Sequence, residues 1–180
     1  MKTLWLAAVL LMSTLACGAP HQNHSTVPAP RPSAPPPQAV SELQGPGVLS
    51  SINVGKHPGY DRVVFTFDAA VADHNASYVD QVTQDGSGFP VPLRGSAFLQ
   101  LTIRGATTDN QMHVTDPGQL RTYKGPQRIT PQADVVAEIA SAGDFEGDLS
   151  FGIGLTRKLR YEISKLTAPT RVVVDFFHTG

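Results

Sequence analysis

The sequence predicts an all-β fold, a small sandwich of two packed sheets built from hairpins, and three observations carry that prediction. Short runs rich in β-branched and aromatic residues recur between turn signals from Val48 onward, at the spacing hairpins need. Several of these runs alternate apolar and polar residues, as half-buried strands do. One phrase is also written twice, "DRVVFTFD" at Asp61–Asp68 and "TRVVVDFF" at Thr170–Phe177. Val63, Phe65 and Phe67 share a face in the first copy, and Val172, Val174 and Phe176 share one in the second. Arg62, Thr66 and Asp68, or Arg171 and Asp175, then point the other way as charged outer rows.

The elements follow in order. Val48–Val54 leads through "GKHPGYD" into Arg62–Asp68 as a hairpin. Ala76–Val82 reads as a third strand, followed by the turn-rich "QDGSGFP". Phe98–Arg104 alternates cleanly, and its aliphatic row, Leu99, Leu101 and Ile103, is the expected core side. The stretch "GATTDNQMHVTDPGQLRTYKGPQR" lacks periodicity and reads as a long loop, mobile or functional. In "TPQADVVAEIAS", Thr130 and Pro131 suit the start of a helix, whereas Val135–Ala140 suits a strand. The tight Gly-rich turn "GDFEGD" leading into "LSFGIGL" favours the strand. Arg160–Leu166 turns through "TAPT" into the second copy of the repeated phrase and closes the sandwich.

Three segments precede and make up the folded part. Residues 1–16 read as a signal peptide: Lys2, an apolar run from Leu4 to Met12 too short to span a bilayer, then small residues. The only cysteine stands at its end, in "STLACGAP". Thr14-Leu15-Ala16-Cys17 resembles a bacterial lipobox with its first two positions swapped, so Cys17 is the expected lipidation site. Cleavage after Ala16 that leaves a free thiol and a secreted chain is the alternative. Residues 17–46 hold about half of the 15 prolines and almost no large apolar side chain, the composition of a disordered spacer. His21 and His24 in this spacer lack the surroundings a metal site needs. Residues 47–180 form the expected domain, with no disulfide available to it. The expected location is the outer face of the cell membrane, reached through the lipid.

Bulk chemistry excludes several classes. A net charge of −1 gives no reason to expect nucleic acid. Asp148-Leu149-Ser150-Phe151-Gly152 lacks the first glycine of a nucleophile elbow, and Gly152-Ile153-Gly154 lacks the third glycine of a dinucleotide loop. Asp144, Glu146 and Asp148 lack calcium-loop spacing and read as a solvated turn, and the histidines lack ligand spacing. No enzyme activity, cofactor or metal is expected. The ligand candidates are the outer-row residues Arg62, Arg171 and Asp175, and a loop group of Tyr123, Lys124 and Arg128 suited to stacking on sugar and pairing with carboxylate.

Several phrases taken together, "INVGKHPGYDRVVFTFD", "GSGFPVPL", "YKGPQRITP", "AGDFEGDLSFGIGL" and "LTAPTRVVVDF", resemble the AMIN-like domain of actinobacterial lipoproteins, which is similar to the AMIN modules of peptidoglycan amidases. The resemblance covers roughly Val48 to Phe177. It implies a non-catalytic sandwich of two quasi-symmetric sheets that holds a protein at the cell wall, through peptidoglycan or through an envelope protein partner. It also implies that the two Arg-Val-Val phrases are equivalent strands in related hairpins, with their outer rows presented for recognition.

Overall fold

In a computed structural model of the chain, residues 45–179 are described. The signal peptide, Cys17 and the Pro-rich spacer read from the sequence lie outside them. The fold is the all-β sandwich the sequence predicts. Its strands are β1 (Gly47–His57), β2 (Tyr60–Phe67), β3 (Asp73–Val79), β4 (Ala97–Arg104), β5 (Ala106–Thr107), β6 (Arg128–Ile129), β7 (Val136–Phe145), β8 (Asp148–Leu155), β9 (Tyr161–Thr167) and β10 (Thr170–Phe177). One sheet has the order β5-β1-β2-β10-β9 and the other β3-β4-β8-β7-β6.

Each sheet joins two strand pairs through their second members. β1–β2 meets β9–β10 at the β2/β10 seam, and β3–β4 meets β7–β8 at the β4/β8 seam, all antiparallel. The repeated phrase therefore occupies both sides of one seam, with Val172 opposite Phe65, Val174 opposite Val63 and Asp175 opposite Arg62. The two copies do belong to related hairpins, and they are also each other's partners.

Alternation on the inner faces builds the core. Val63, Phe65, Val172, Val174 and Phe176 from one sheet meet Leu99, Leu101, Ile103, Leu149 and Ile153 from the other, all fully buried. The aromatic rings of Phe65 and Phe151 meet across the layer at 4.7 Å. The strand reading of this stretch holds from Val136, as the turn chemistry favours, with Val135 just before it, and the connecting turn is only Glu146–Gly147 with both φ positive, +53° and +82°. The first hairpin turn is likewise only Pro58–Gly59, so β1 runs three residues beyond Val54. Proline presets φ and Gly59 supplies φ +90°.

Two expectations need correcting. The third strand covers Asp73–Val79 and stops short of Val82, because the next residues leave the sheet and fold over it. The long loop is not wholly irregular: short strands β5 and β6 and two single 3-10 turns, Gln111–His113 and Pro117–Gln119, punctuate it.

The segment after β3 forms a strap across the outer face of the second sheet. Val91 donates its backbone N–H to the Val82 carbonyl at 2.8 Å, and both pack with Ala140 and Ala142 into a second small core. The Gly152/Gly154 pair on β8 makes room for it. A Cβ at Gly154 would collide with the Arg94 carbonyl, and one at Gly152 with Leu93 and Val82. The two outer faces therefore differ: the second sheet is sealed by its strap, and the first is lined by its own strands.

Register also fixes two ends. Gly47, Phe67, Thr167, Asp73, Arg104 and Phe145 gather where the described chain enters, and His57, Tyr60, Tyr161, Val79 and Leu155 gather at the opposite end, one β1 length away. At roughly 3.3 Å per residue that separation is about 35 Å.

Candidate functional site

The open outer face of the first sheet is read from four registered rows. Nearest the entry, Ser51, Thr66, Arg171 and Leu166 stand side by side; the next row is Asn53, Val64, Val173 and Ser164. Then come Gly55, Arg62, Asp175 and Glu162, and at the far end His57, Tyr60 and Phe177. These are the alternate positions to the core rows, so the strand period alone turns them outward.

The far half of this face is satisfied internally. Arg62 donates from Nε and Nη2 to the two oxygens of Asp175, both at 2.7 Å. That hydrogen bond to Asp175 raises the Arg62 pKa further above its usual value, against the opposing effect of burial. Arg160 pairs with Glu162 and lies 3.7 Å over the Phe177 ring, while His57 stacks on Tyr60 at 4.6 Å. Rings and guanidinium tie four strands together.

The entry half is different. Arg171 makes no ion pair among the described residues, and its Nε is shut off from solvent without an acceptor. A ligand would meet it through the terminal nitrogens. Around it stand the hydroxyls of Ser51, Thr66 and Ser164 and the Asn53 amide, over a floor of Val64 and Val173. A guanidinium without a counter-ion, ringed by short polar groups, is suited to a carboxylate on a hydroxyl-rich ligand.

The loop group is committed elsewhere. Tyr123 packs its ring against the main core and donates its hydroxyl to the Pro126 carbonyl at 3.3 Å. Burial pushes its pKa up. Arg128 donates to the Pro92 carbonyl at 2.8 Å and pairs with buried Glu138, which also accepts from the Arg94 amide of the strap. Lys124 remains exposed and makes no ion pair among the described residues. Tyr123 and Arg128 thus serve different neighbours, and Lys124 has no partner among the described residues.

One functional-looking group has a structural role. Asp61, Asp134 and His178 bring potential metal-ligand atoms within 4.8 Å of one another. Asp61 is fully buried, yet its Oδ2 accepts from the Val135 and Val136 amides at 2.6 and 3.1 Å, and Oδ1 faces His178 Nε2 at 3.2 Å. Burial pushes its carboxyl up, but the Val135, Val136 and Asp134 amides with His178 outweigh it and hold the pKa below the usual range. Asp134 carries the Lys56 ammonium instead. The knot sews β2 to the start of β7. A sequence signal for it existed: Asp61 is the one charge in the core row of its strand.

The AMIN-like domain family matches residues 47–178, and the chain belongs to that family, whose members are extracytoplasmic, non-catalytic, envelope-associated binding domains. Comparison with curated proteins gave no match, and comparison with solved structures gave none either. No helix among the described residues is long and apolar enough to cross a membrane.

Proposed function

We propose that this domain holds a carboxylate-bearing wall polymer, peptidoglycan first among them, on the open face of its first sheet. Arg171 supplies the charge contact and Ser51, Asn53, Thr66 and Ser164 the hydrogen bonds, while the Arg62–Asp175 pair braces the seam beside them. The observation that carries this reading is the asymmetry of the sandwich: the strap seals one outer face, and the other presents an arginine without a counter-ion. Diacylated Cys17 tethers the chain to the outer surface of the membrane, and the sheet face is then available to the wall. Tyr123, Lys124 and Arg128 are secondary contacts at most, since two of the three already have partners. Sedimentation of the chain with purified peptidoglycan tests the reading: the chain should pellet with the polymer, and a chain that stays in the supernatant at low salt refutes it.

A further inference from the structure

A second surface lies at the end where the described chain enters the domain. Of the large apolar side chains, Phe89, Met112, Leu120, Phe145 and Leu166 are exposed, Met112 at 90% and Phe89 at 68%. Register puts Phe145 and Leu166 at the entry end. Met112 lines a cavity there with Gly45 and Pro46, Leu120 ends the 3-10 turn that follows in the chain, and Gly86, in the strap tip that also carries Phe89, faces the Phe145 ring. Leu166 stands in the sheet-face row beside Arg171; the other four exposed apolar side chains among the described residues, gathered at one end of a small domain, are not the scatter expected of a monomer's surface.

The cavity between them measures about 650 Å³. Pro46, Ala70, Ala72 and Met112 give it apolar walls, and Asp109, Asp144, Glu146 and Asp148 line it without any lysine or arginine among the lining residues. Asp144 is consumed internally by Thr107 and Thr108. The Glu146 and Asp148 carboxylates accept no hydrogen bond and make no ion pair among the described residues, although Arg104 stands opposite Asp148 in register. The acidic rim also argues against an anionic membrane as the occupant, because like charge opposes approach.

We propose that this end docks a protein partner through a segment that interleaves basic and large apolar side chains. A lysine or arginine of the partner enters the cavity against Glu146 and Asp148, and its apolar neighbours cover Phe145 and Met112. Charge complementarity selects the segment, and the apolar rim supplies the burial that holds it. The domain would then bind the wall with its sheet face and a partner with its entry end.

The test uses the purified full chain and three labelled peptides, in which leucine alternates with lysine, leucine with glutamate, and serine with lysine. Binding is followed by fluorescence anisotropy and by the NMR signal of the Met112 methyl. The leucine–lysine peptide should bind and shift that methyl, the leucine–glutamate peptide should not bind, and the serine–lysine peptide should bind at least about tenfold more weakly. Glu146→Asn with Asp148→Asn, or Phe145→Ser, should each weaken binding about tenfold. Asn suits the positive φ at position 146 better than Glu does, so the fold is not at risk there. Arg171→Ala, on the sheet face, should leave peptide binding unchanged. Equal binding of the leucine–glutamate peptide, a still Met112 methyl, or unaffected binding by these variants overturns the proposal. So does Phe145-dependent partition onto vesicles, or Phe145-dependent self-association, in place of peptide binding.

Discussion

Arg62 and Asp175 meet across the seam between β2 and β10 in a side-on bidentate pair, two bonds of 2.7 Å joining residues 113 positions apart. Each belongs to one copy of the repeated phrase, so the repeat is closed upon itself by its own charges. The Arg62 side chain keeps 40% of its exposure and Asp175 keeps 18%, so solvent screens the pair. A double-mutant cycle with Arg62→Ala and Asp175→Ala, read by chemical denaturation, should give a coupling of about 1 kcal/mol. A coupling near zero would mean that the bidentate geometry does not persist in solution.

Asp61 should matter more. Asp61→Ala strands two buried amides and His178, at a cost of about 3 kcal/mol. The folded carboxyl is held below its ordinary pKa, so its contribution is complete above the unfolded value near 4 and is lost as pH falls through the depressed folded value. Stability of the wild type should therefore drop more steeply on acidification than that of Asp61→Asn. Parallel acid limbs in the two melting series would contradict this.

The strap gives a third expectation. Gly154→Ala places a methyl against the Arg94 backbone carbonyl, which cannot rotate away, and should cost about 2–3 kcal/mol. Gly152→Ala meets the ends of Leu93 and Val82 and should cost less. Equal melting temperatures for Gly154→Ala and wild type would show that the strap does not seal the second sheet.

Cys17→Ala should move the protein from the membrane fraction to the medium or the soluble envelope. A diacyl anchor contributes about 0.8 kcal/mol per buried CH₂, so its loss is decisive for partitioning. Unchanged partitioning, with no lipid-precursor label on the wild type, would remove the anchor from the account.

Much of this architecture was legible in the sequence because period two is a local signal. Alternation marks Leu99, Leu101 and Ile103 as a core row, and all three are fully buried. The same signal marks Val172, Val174 and Phe176, which are fully buried too. The Arg62–Asp175 pair was not legible, since the register of two strands so distant in sequence is decided by packing. Val82 reads as the end of a strand and Val91 lies among turn residues, and nothing local says that they cap the outer side of β7 and β8. The glycines at 152 and 154 could be recognised as strand glycines, but the reason for them is a segment that returns from elsewhere. For the site, the sequence nominated Arg62, Arg171 and Asp175 alike; only the pairing separates the one left without a partner from the two that have each other.

Binding of a carboxylated wall polymer by the open sheet face through Arg171 is the proposal on which the rest depends. The most direct measurement is co-sedimentation with purified peptidoglycan of wild type, Arg171→Ala and Arg62→Ala, each checked by melting. A charge-assisted contact contributes about 1.5–3 kcal/mol, so Arg171→Ala should weaken binding roughly tenfold to a hundredfold while melting close to wild type. Arg62→Ala should show the reverse, a lower melting point with binding much less affected. Wild-type affinity in a folded Arg171→Ala chain would contradict the account and leave the face as architecture alone.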